Sequence, residues 1–463
     1  MRIIRSLGAG LSLTLAAACA PSLSGPKLDN DPNTPSSATS NQLLSSIQAN
    51  GNILLNGPGT RLASMWVQQM AGTDRQYQSF GLYQGLTESN YDTPWGAVYT
   101  GGGLVDVLII ETNARAAADR TYLGIAEVWE AILVGTAADL WGDVPYADVL
   151  AGASIPTLDK QADVYAAVQK VLDAAIADLN AGTGTGPGAV DLAYGGDRTK
   201  WIAAAHTLKA RFYLHTAKAN AAAYASALAE ATQGVRTPTG NFYAWAADLA
   251  GQQNLWNQFF RDRDSYMRGG KVLVDLLTAR SDPRLAQYFG KNGAGTYGGA
   301  APGQNLNGNT MSWLSDTRGG AGFRQPFITS ADNNLIIAEA QYRGASAATA
   351  LATLNTERTA AGLAALPGTT AGTALLTAIL DEKYIAQFQM LEAWSDYRRT
   401  CYPNITPASQ AFSGNVPARF IYASSEITAN SNIPALGSQP SRNQQDSPSL
   451  TTSADGTACK GQK

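Results

Sequence analysis

Residues 381–403 read DEKYIAQFQMLEAWSDYRRTCYP. Together with Leu380, the large apolar residues Tyr384, Ile385, Phe388, Leu391 and Trp394 recur at helical spacing, which places them on one face to be buried. The other face carries Asp381, Glu382, Lys383, Glu392, Asp396, Arg398 and Arg399, acids early and bases late, as the helix dipole favours. Asp396 stands three residues before Arg399, near enough to pair on one turn. The pattern predicts a continuous core helix over 381–400, stopped by Pro403. Glu392, Asp396, Arg398 and Arg399 are expected to form a structural ion network on it.

Working outward, helical periodicity reaches back from the 381–400 stretch to 373 and also occupies 332–343 and 347–360, and, earlier, 41–55, 61–70, 95–115, 122–141, 161–179 and 200–218. The segments 95–115 and 122–141 read as an antiparallel pair joined by a short turn. The second ends in DLWGDVPY, where Gly142 suits the left-handed position just past a helix. A Gly-rich linker separates 161–179 from 200–218, and such pairs are the unit of an α-solenoid. No strict 34-residue repeat is visible. Residues 72–95 read as a long polar, aromatic loop. Over 237–327 the pattern gives way to Gly, Asn, Pro and aromatics, with one expected helix at 271–278; an irregular region this long is expected to be functional.

The chain has 463 residues, 45% hydrophobic and 15% charged, enough for a large core. A net charge of -3 and a pI near 5.5 supply no basic field for nucleic acid. Residues 1–18 carry Arg2 and Arg5 before a short apolar run ending in small residues, the pattern of a secretory signal. Cys19 follows directly, where lipoprotein processing would acylate it; Ala16 stands where a lipobox usually has Leu. Residues 19–40 then read as a lipidated N-terminus and polar spacer, and 41–463 as a single domain containing the loop-rich insert at 237–327. No later stretch is long enough to span a membrane as a helix, so the expected anchor is the lipid alone. Cys401 and Cys459 would lie in an oxidising compartment. They either pair, closing a long loop with a contribution of about 4 kcal/mol in the chain-entropy model, or stand as two unrelated thiols.

The string EKYIAQFQMLEAWSDYRRTCYP resembles the C-terminal signature of the SusD-like (RagB/SusD) family, in which a helix of the form EAW-x-D-x-RRT ends at a proline. LDNDPNTPSSAT at 28–39 is similar to the family's N-terminal motif, DLWGDVPY to one of its helix endings, and PARFIYASSEITANSN to its closing motif, with Ala418 and Ala423 where Arg and Pro are common. The family pattern has Gly where Cys401 stands. With the periodicity, the resemblance implies an all-α fold, a tetratricopeptide-like superhelix of about four helix pairs with long irregular loops. It also implies a cell-surface outer-membrane lipoprotein that passes a nutrient to a TonB-dependent transporter of SusC type.

The residues offer little catalytic chemistry. His206 and His215, the chain's two histidines, fall on nearly opposite faces of one predicted helix and cannot share a metal within it. Gly293, Gly295 and Gly298 form a Gly-x-Gly-x-x-Gly without the strand and helix that a dinucleotide site requires. Asp139 and Asp143 resemble a glycosidase carboxylate pair, but their place at a helix end favours capping and turn roles. No cofactor or metal is expected. Aromatic residues in polar loops are more informative, because flat rings beside hydroxyl-bonding groups suit an oligosaccharide. Asp74, Arg75, Tyr77, Tyr83 and Trp313 are the expected ligand contacts. A helical-repeat scaffold that binds only proteins and a surface glycosidase are the other two readings.

Overall fold

The computed structural model describes residues 38–344, 346–408, 416–440 and 443–446. The signal segment, Cys19, most of the spacer and Cys459 lie outside the described residues. The first helix, α1 (Ser40–Asn56), starts at a capping box in which the Thr39 hydroxyl accepts from the Gln42 backbone and the Gln42 side chain returns to Thr39. It is followed by α2 (Pro58–Trp66), α3 (Arg75–Gly81), α4 (Asp92–Tyr99), α5 (Leu104–Ala116), α6 (Arg120–Trp141), α7 (Ala147–Leu150), α8 (Gln161–Ala181), α9 (Arg198–Thr216) and α10 (Ala223–Ala231). The loop-rich insert contributes α11 (Leu255–Asp262), α12 (Lys271–Ala279) and α13 (Arg284–Tyr288). The chain then completes α14 (Ser330–Arg343), α15 (Ala347–Ala360), α16 (Gly372–Ala386), α17 (Glu392–Thr400) and α18 (Ser424–Ala429). Four short strands, β1 (Met70–Gly72), β2 (Phe242–Tyr243), β3 (Met267–Gly269) and β4 (Pro326–Ile328), form two antiparallel ribbons, β1 with β3 and β2 with β4.

Helices near one another in sequence pack along the chain: α5 on α6, α6 on α8, α8 on α9, α9 on α10, then α14 on α15 and α16, with α10 joining α14 across the insert. This is the expected all-α, repeat-like superhelix. At its centre α6 is buried from Thr121 to Trp141. Close packing there depends on glycine: a Cβ on Gly135 would lie 2.2 Å from the Phe212 ring of α9. Gly142 ends α6 with φ of 78°, as its position in DLWGDVPY predicts. Beside this end lies an aromatic cluster: Trp394 stacks on Phe420 at 5.1 Å, and Trp66 meets both edge-on at 5.2 and 5.6 Å. Such pairs each add roughly 0.5–1.5 kcal/mol beyond burial.

The 381–400 stretch is not one helix. It divides into α16 and α17 at residues 387–391, where Gln389 takes φ of 64°. The insert fixes the break: Arg318 donates to the Gln389 side chain at 2.8 Å and to the Phe388 carbonyl at 2.7 Å, and Gln325 donates to the Gln389 carbonyl at 3.1 Å. Likewise 95–115 is two helices, because the glycine run at 101–103 turns the chain, with Gly102 at φ of 82°. The 61–70 segment ends as a helix at Trp66, and Met70 begins β1. The expected loop at 72–95 contains α3 and the start of α4, while α10, α11 and α13 have no counterpart in the expected elements.

The charged face of the signature stretch is buried along with its apolar face. Arg399 reaches Glu339 of α14 and Asp396; Lys383 bridges Glu339 at 2.9 Å and Asp396 at 2.8 Å. Gln387 connects Asp396 to Asp332, Arg211 links Asp332 to Glu392, and His215 links Glu392 to Asp139. Of the predicted network, Glu392, Asp396 and Arg399 join a chain of ion pairs and one amide bridge through α14, α16, α17, α9 and α6, while Arg398 donates to the Asp139 and Ala418 carbonyls and the Ser395 hydroxyl. A second cluster around Glu382, with Arg280, Arg284 and Arg358, ties α12, α13 and α15 to α16. It fixes the insert against the superhelix.

Candidate functional site

Two loop regions that the sequence marked as aromatic and polar meet at the β1–β3 ribbon, where Ala71 faces Arg268. Asp74 caps α3 and accepts the Ser265 hydroxyl at 2.6 Å; this bond holds its carboxyl below the ordinary range. Thr73 donates through its hydroxyl to the Ser265 carbonyl at 2.8 Å, and Gln78 donates to the Gly303 carbonyl at 2.9 Å. The first loop is thereby sewn to 264–266 and to 303–305.

Beside this seam opens a cleft of about 470 Å³, bordered by Asn257, Phe260, Arg261, Asp264, Arg268, Trp313 and Asp316 among others. Trp313 is 38% exposed, and its indole lies against Gly290, where a Cβ would sit 2.4 Å from Nε1. Arg268 is buried and donates to the Asp264 carbonyl and, at 3.3 Å, to its carboxylate. The cleft thus offers an aromatic face, the Asn257 carboxamide and both signs of charge, a combination that suits a hydroxyl-rich ligand.

Of the five expected contacts, Trp313 borders the cleft. Asp74 stands behind it, holding Ser265 next to Asp264. The Arg75 side chain is 69% exposed beside Asp74. Tyr77 is buried, packed on Phe259 of α11 at 4.9 Å, so it supports the helix that forms the cleft wall. Tyr83 is buried with its hydroxyl accepting from the Ala408 backbone at 3.0 Å, and burial pushes that hydroxyl up to about 12. The structure does not bring the two tyrosines onto the open surface. Reading the sequence missed Asn257, Phe260 and Arg261 of α11, Asp264 just after it, and Arg268 of β3. The signal for α11 was present: Asn254 caps it by accepting from Trp256 and Asn257, with apolar residues at 255, 256, 259 and 260.

Asp139, His215 and Glu392 bring three potential ligand atoms within 4.8 Å of one another. His215 spends both ring nitrogens on carboxylates, Nδ1 with Asp139 at 2.7 Å and Nε2 with Glu392 at 2.9 Å. Burial alone would lower its pKa, but the two carboxylates outweigh that and raise it to about 10. The resulting imidazolium has no lone pair for a metal and serves as a charge link in the buried network. Asp139 also accepts from Tyr165. Its role is therefore this ion pair and not the expected capping. Asp143 does take the expected turn position, accepting the Gln161 backbone at 3.0 Å at the start of α8.

Cys401 is buried and disulfide-bonded, and it occupies the left-handed position that ends α17, with φ of 58°. Among the described residues no helix is long and apolar enough to cross a membrane.

The fold and the cleft define a helical-superhelix binding protein. A family model described as SusD-like, starch-binding associating with outer membrane, matches residues 32–423, and the chain belongs to that family. Solved structures agree in fold. A chitin-binding SusD homologue from Flavobacterium johnsoniae superposes with a TM-score of 0.77 at 18% identity, covering 89% of this chain and 99% of its own. A chitin-binding protein gives 0.75 at 23% identity, covering 88% and 100%. A SusD/RagB family protein from Bacteroides thetaiotaomicron gives 0.73 at 20% identity, covering 89% and 100%. No curated protein matches the chain.

Proposed function

We propose that this chain is a non-catalytic, lipid-anchored outer-membrane protein that binds an oligosaccharide and passes it to a TonB-dependent transporter of SusC type. The observation that carries the saccharide reading is Trp313, exposed at the border of a polar cleft beside Asn257, Arg261 and Asp264. An exposed indole can stack on the apolar face of a pyranose while the polar groups bond its hydroxyls. Relatives whose names state chitin binding, and a family described as starch-binding and outer-membrane associated, support the same direction. Family membership supports the transporter partner and the surface location. Cys19 is the proposed lipidation site. If its thiol is acylated, Cys459 is the remaining partner for Cys401.

The test is gentle detergent extraction of the native membrane, purification through a C-terminal tag, and mass spectrometry of the associated proteins and of residue 19. A stoichiometric large β-barrel and an acylated Cys19 are expected. The chain recovered alone, under extraction that preserves other complexes, would turn the reading toward a free-standing binder or scaffold. In parallel, the full chain should bind oligosaccharides without cleaving them during long incubation; product release would restore the glycosidase reading.

A further inference from the structure

A second cleft, of about 330 Å³, lies between α1 and the segment leading into α11, away from the Trp313 cleft. Helix α11 separates the two. Leu255 and Gln258 line this second cleft, whereas Asn257, Phe260 and Arg261 line the first. At about 100° per residue these sets fall on well-separated faces of one helix. The most exposed aromatic in the second cleft is Trp245, 44% accessible. Arg324 lies over its ring at 5.3 Å and is itself anchored to the Leu192 carbonyl at 3.0 Å and the Ala244 carbonyl at 3.4 Å. The indole plane is thereby fixed before any ligand arrives, which lowers the ordering cost of binding.

Apart from Arg324, the chemistry around this ring is that of uncharged polar groups. The lining holds no Asp, Glu, Lys, Arg or His, and its polar groups are chiefly carboxamides, with Ser45 and Tyr243. Their hydrogen bonds leave one end of several free among the described residues. Gln252 accepts from Trp245 through Oε1, Gln253 accepts from Gly251 through Oε1, and Asn52 accepts from Asn56 through Oδ1, so each retains its amide nitrogen. Gln258 donates to the Gln253 carbonyl and retains its Oε1. Free amide donors and an acceptor beside a fixed indole match the alternating hydroxyls and apolar face of a sugar. The Trp313 cleft, with Arg261, Asp264, Arg268 and Asp316, has a different character.

We infer that the Trp245 cleft is a second saccharide subsite. This rests on the proposed saccharide-binding role.

The experiment is isothermal titration of the full-length, detergent-solubilised chain with maltohexaose, chitohexaose and the anionic hexamer of galacturonic acid. The proteins are wild type, Trp313→Ala, Trp245→Ala, Trp245→Phe, Gln252→Ala and the double alanine variant, each checked for an unchanged helical spectrum. Trp313→Ala should still bind a neutral hexamer, and adding Trp245→Ala should weaken that residual binding roughly tenfold or more, the loss of a stacking face. Trp245→Phe should retain most of it, and Gln252→Ala should weaken it. If Trp313→Ala alone abolishes binding, or Trp245→Ala changes neither affinity nor stoichiometry, the second subsite falls while the saccharide role stands. If wild type binds none of the three, both fall.

Discussion

Arg399 meets Glu339 through both terminal nitrogens, at 2.6 and 2.8 Å, with both side chains almost completely buried. The pair joins α17 to α14, and Lys383 of α16 closes the triangle. Removing one member of a buried ionic set leaves the others desolvated without compensation, which costs about 3–5 kcal/mol. Glu339→Gln is therefore expected to lower the urea midpoint by that equivalent without changing the slope. A shift no larger than that of a surface substitution would show that the network does not hold the helices together.

Acid should expose the same network. Burial alone would raise the pKa of Glu339 and Asp396, but Arg399 and Lys383 outweigh it and hold both well below the usual carboxylate range. A depressed folded-state pKa gives stability that is present above the unfolded value, 4.5 for Glu and 3.8 for Asp, and lost as pH falls through the folded value. The melting temperature should thus drop below about pH 4 in wild type. The drop should be shallower in Glu339→Gln, which has one fewer carboxylate to protonate.

Alkali should act at a different place. Glu127 and Glu130 of α6 are buried near Asp178 and Glu111; burial first, and these carboxylates second, raise them to about 9 and about 8. A raised folded-state pKa gives stability fully present below 4.5 and lost as pH rises through the folded value, at up to about 1.4 kcal/mol per unit for each proton. Glu127→Gln removes one such proton. It should flatten the decline of stability between pH 5 and pH 9 that thermal melts record. An unchanged slope would mean that Glu127 is ionised in the folded protein.

How much of this was legible depends on whether the signal was local. The Asp396–Arg399 pair and the Gly142 cap are set by neighbours within one turn, and both could be read from spacing. The break at Gln389 could not: no Gly or Pro marks it, and its left-handed backbone is held by Arg318 and Gln325, more than sixty residues away in sequence. Helix α10, AYASALAEA, buries small alanines and so lacks the large apolar stripe that announces a core helix. At the cleft, Trp313 and Tyr77 look alike as aromatics in polar loops. What separates them is α11, which covers Tyr77 through Phe259 and leaves Trp313 open.

Cys401 offers a separable test of backbone and cross-link. Its φ of 58° is the left-handed conformation that glycine adopts freely and that a Cβ disfavours by about 1 kcal/mol or more. Both Cys401→Gly and Cys401→Ala remove the disulfide, so their difference reports the cap alone. Each should be less stable than oxidised wild type, by about 4 kcal/mol if the bond closes the loop to Cys459. Cys401→Gly should exceed Cys401→Ala by about 1 kcal/mol in urea unfolding. Peptide mapping without reductant should find Cys401 joined to Cys459, and a fragment linking it to Cys19 would overturn both that pairing and the acylation of Cys19. Equal stability of the two variants would instead show that α17 relaxes its last turn when the thiol is gone.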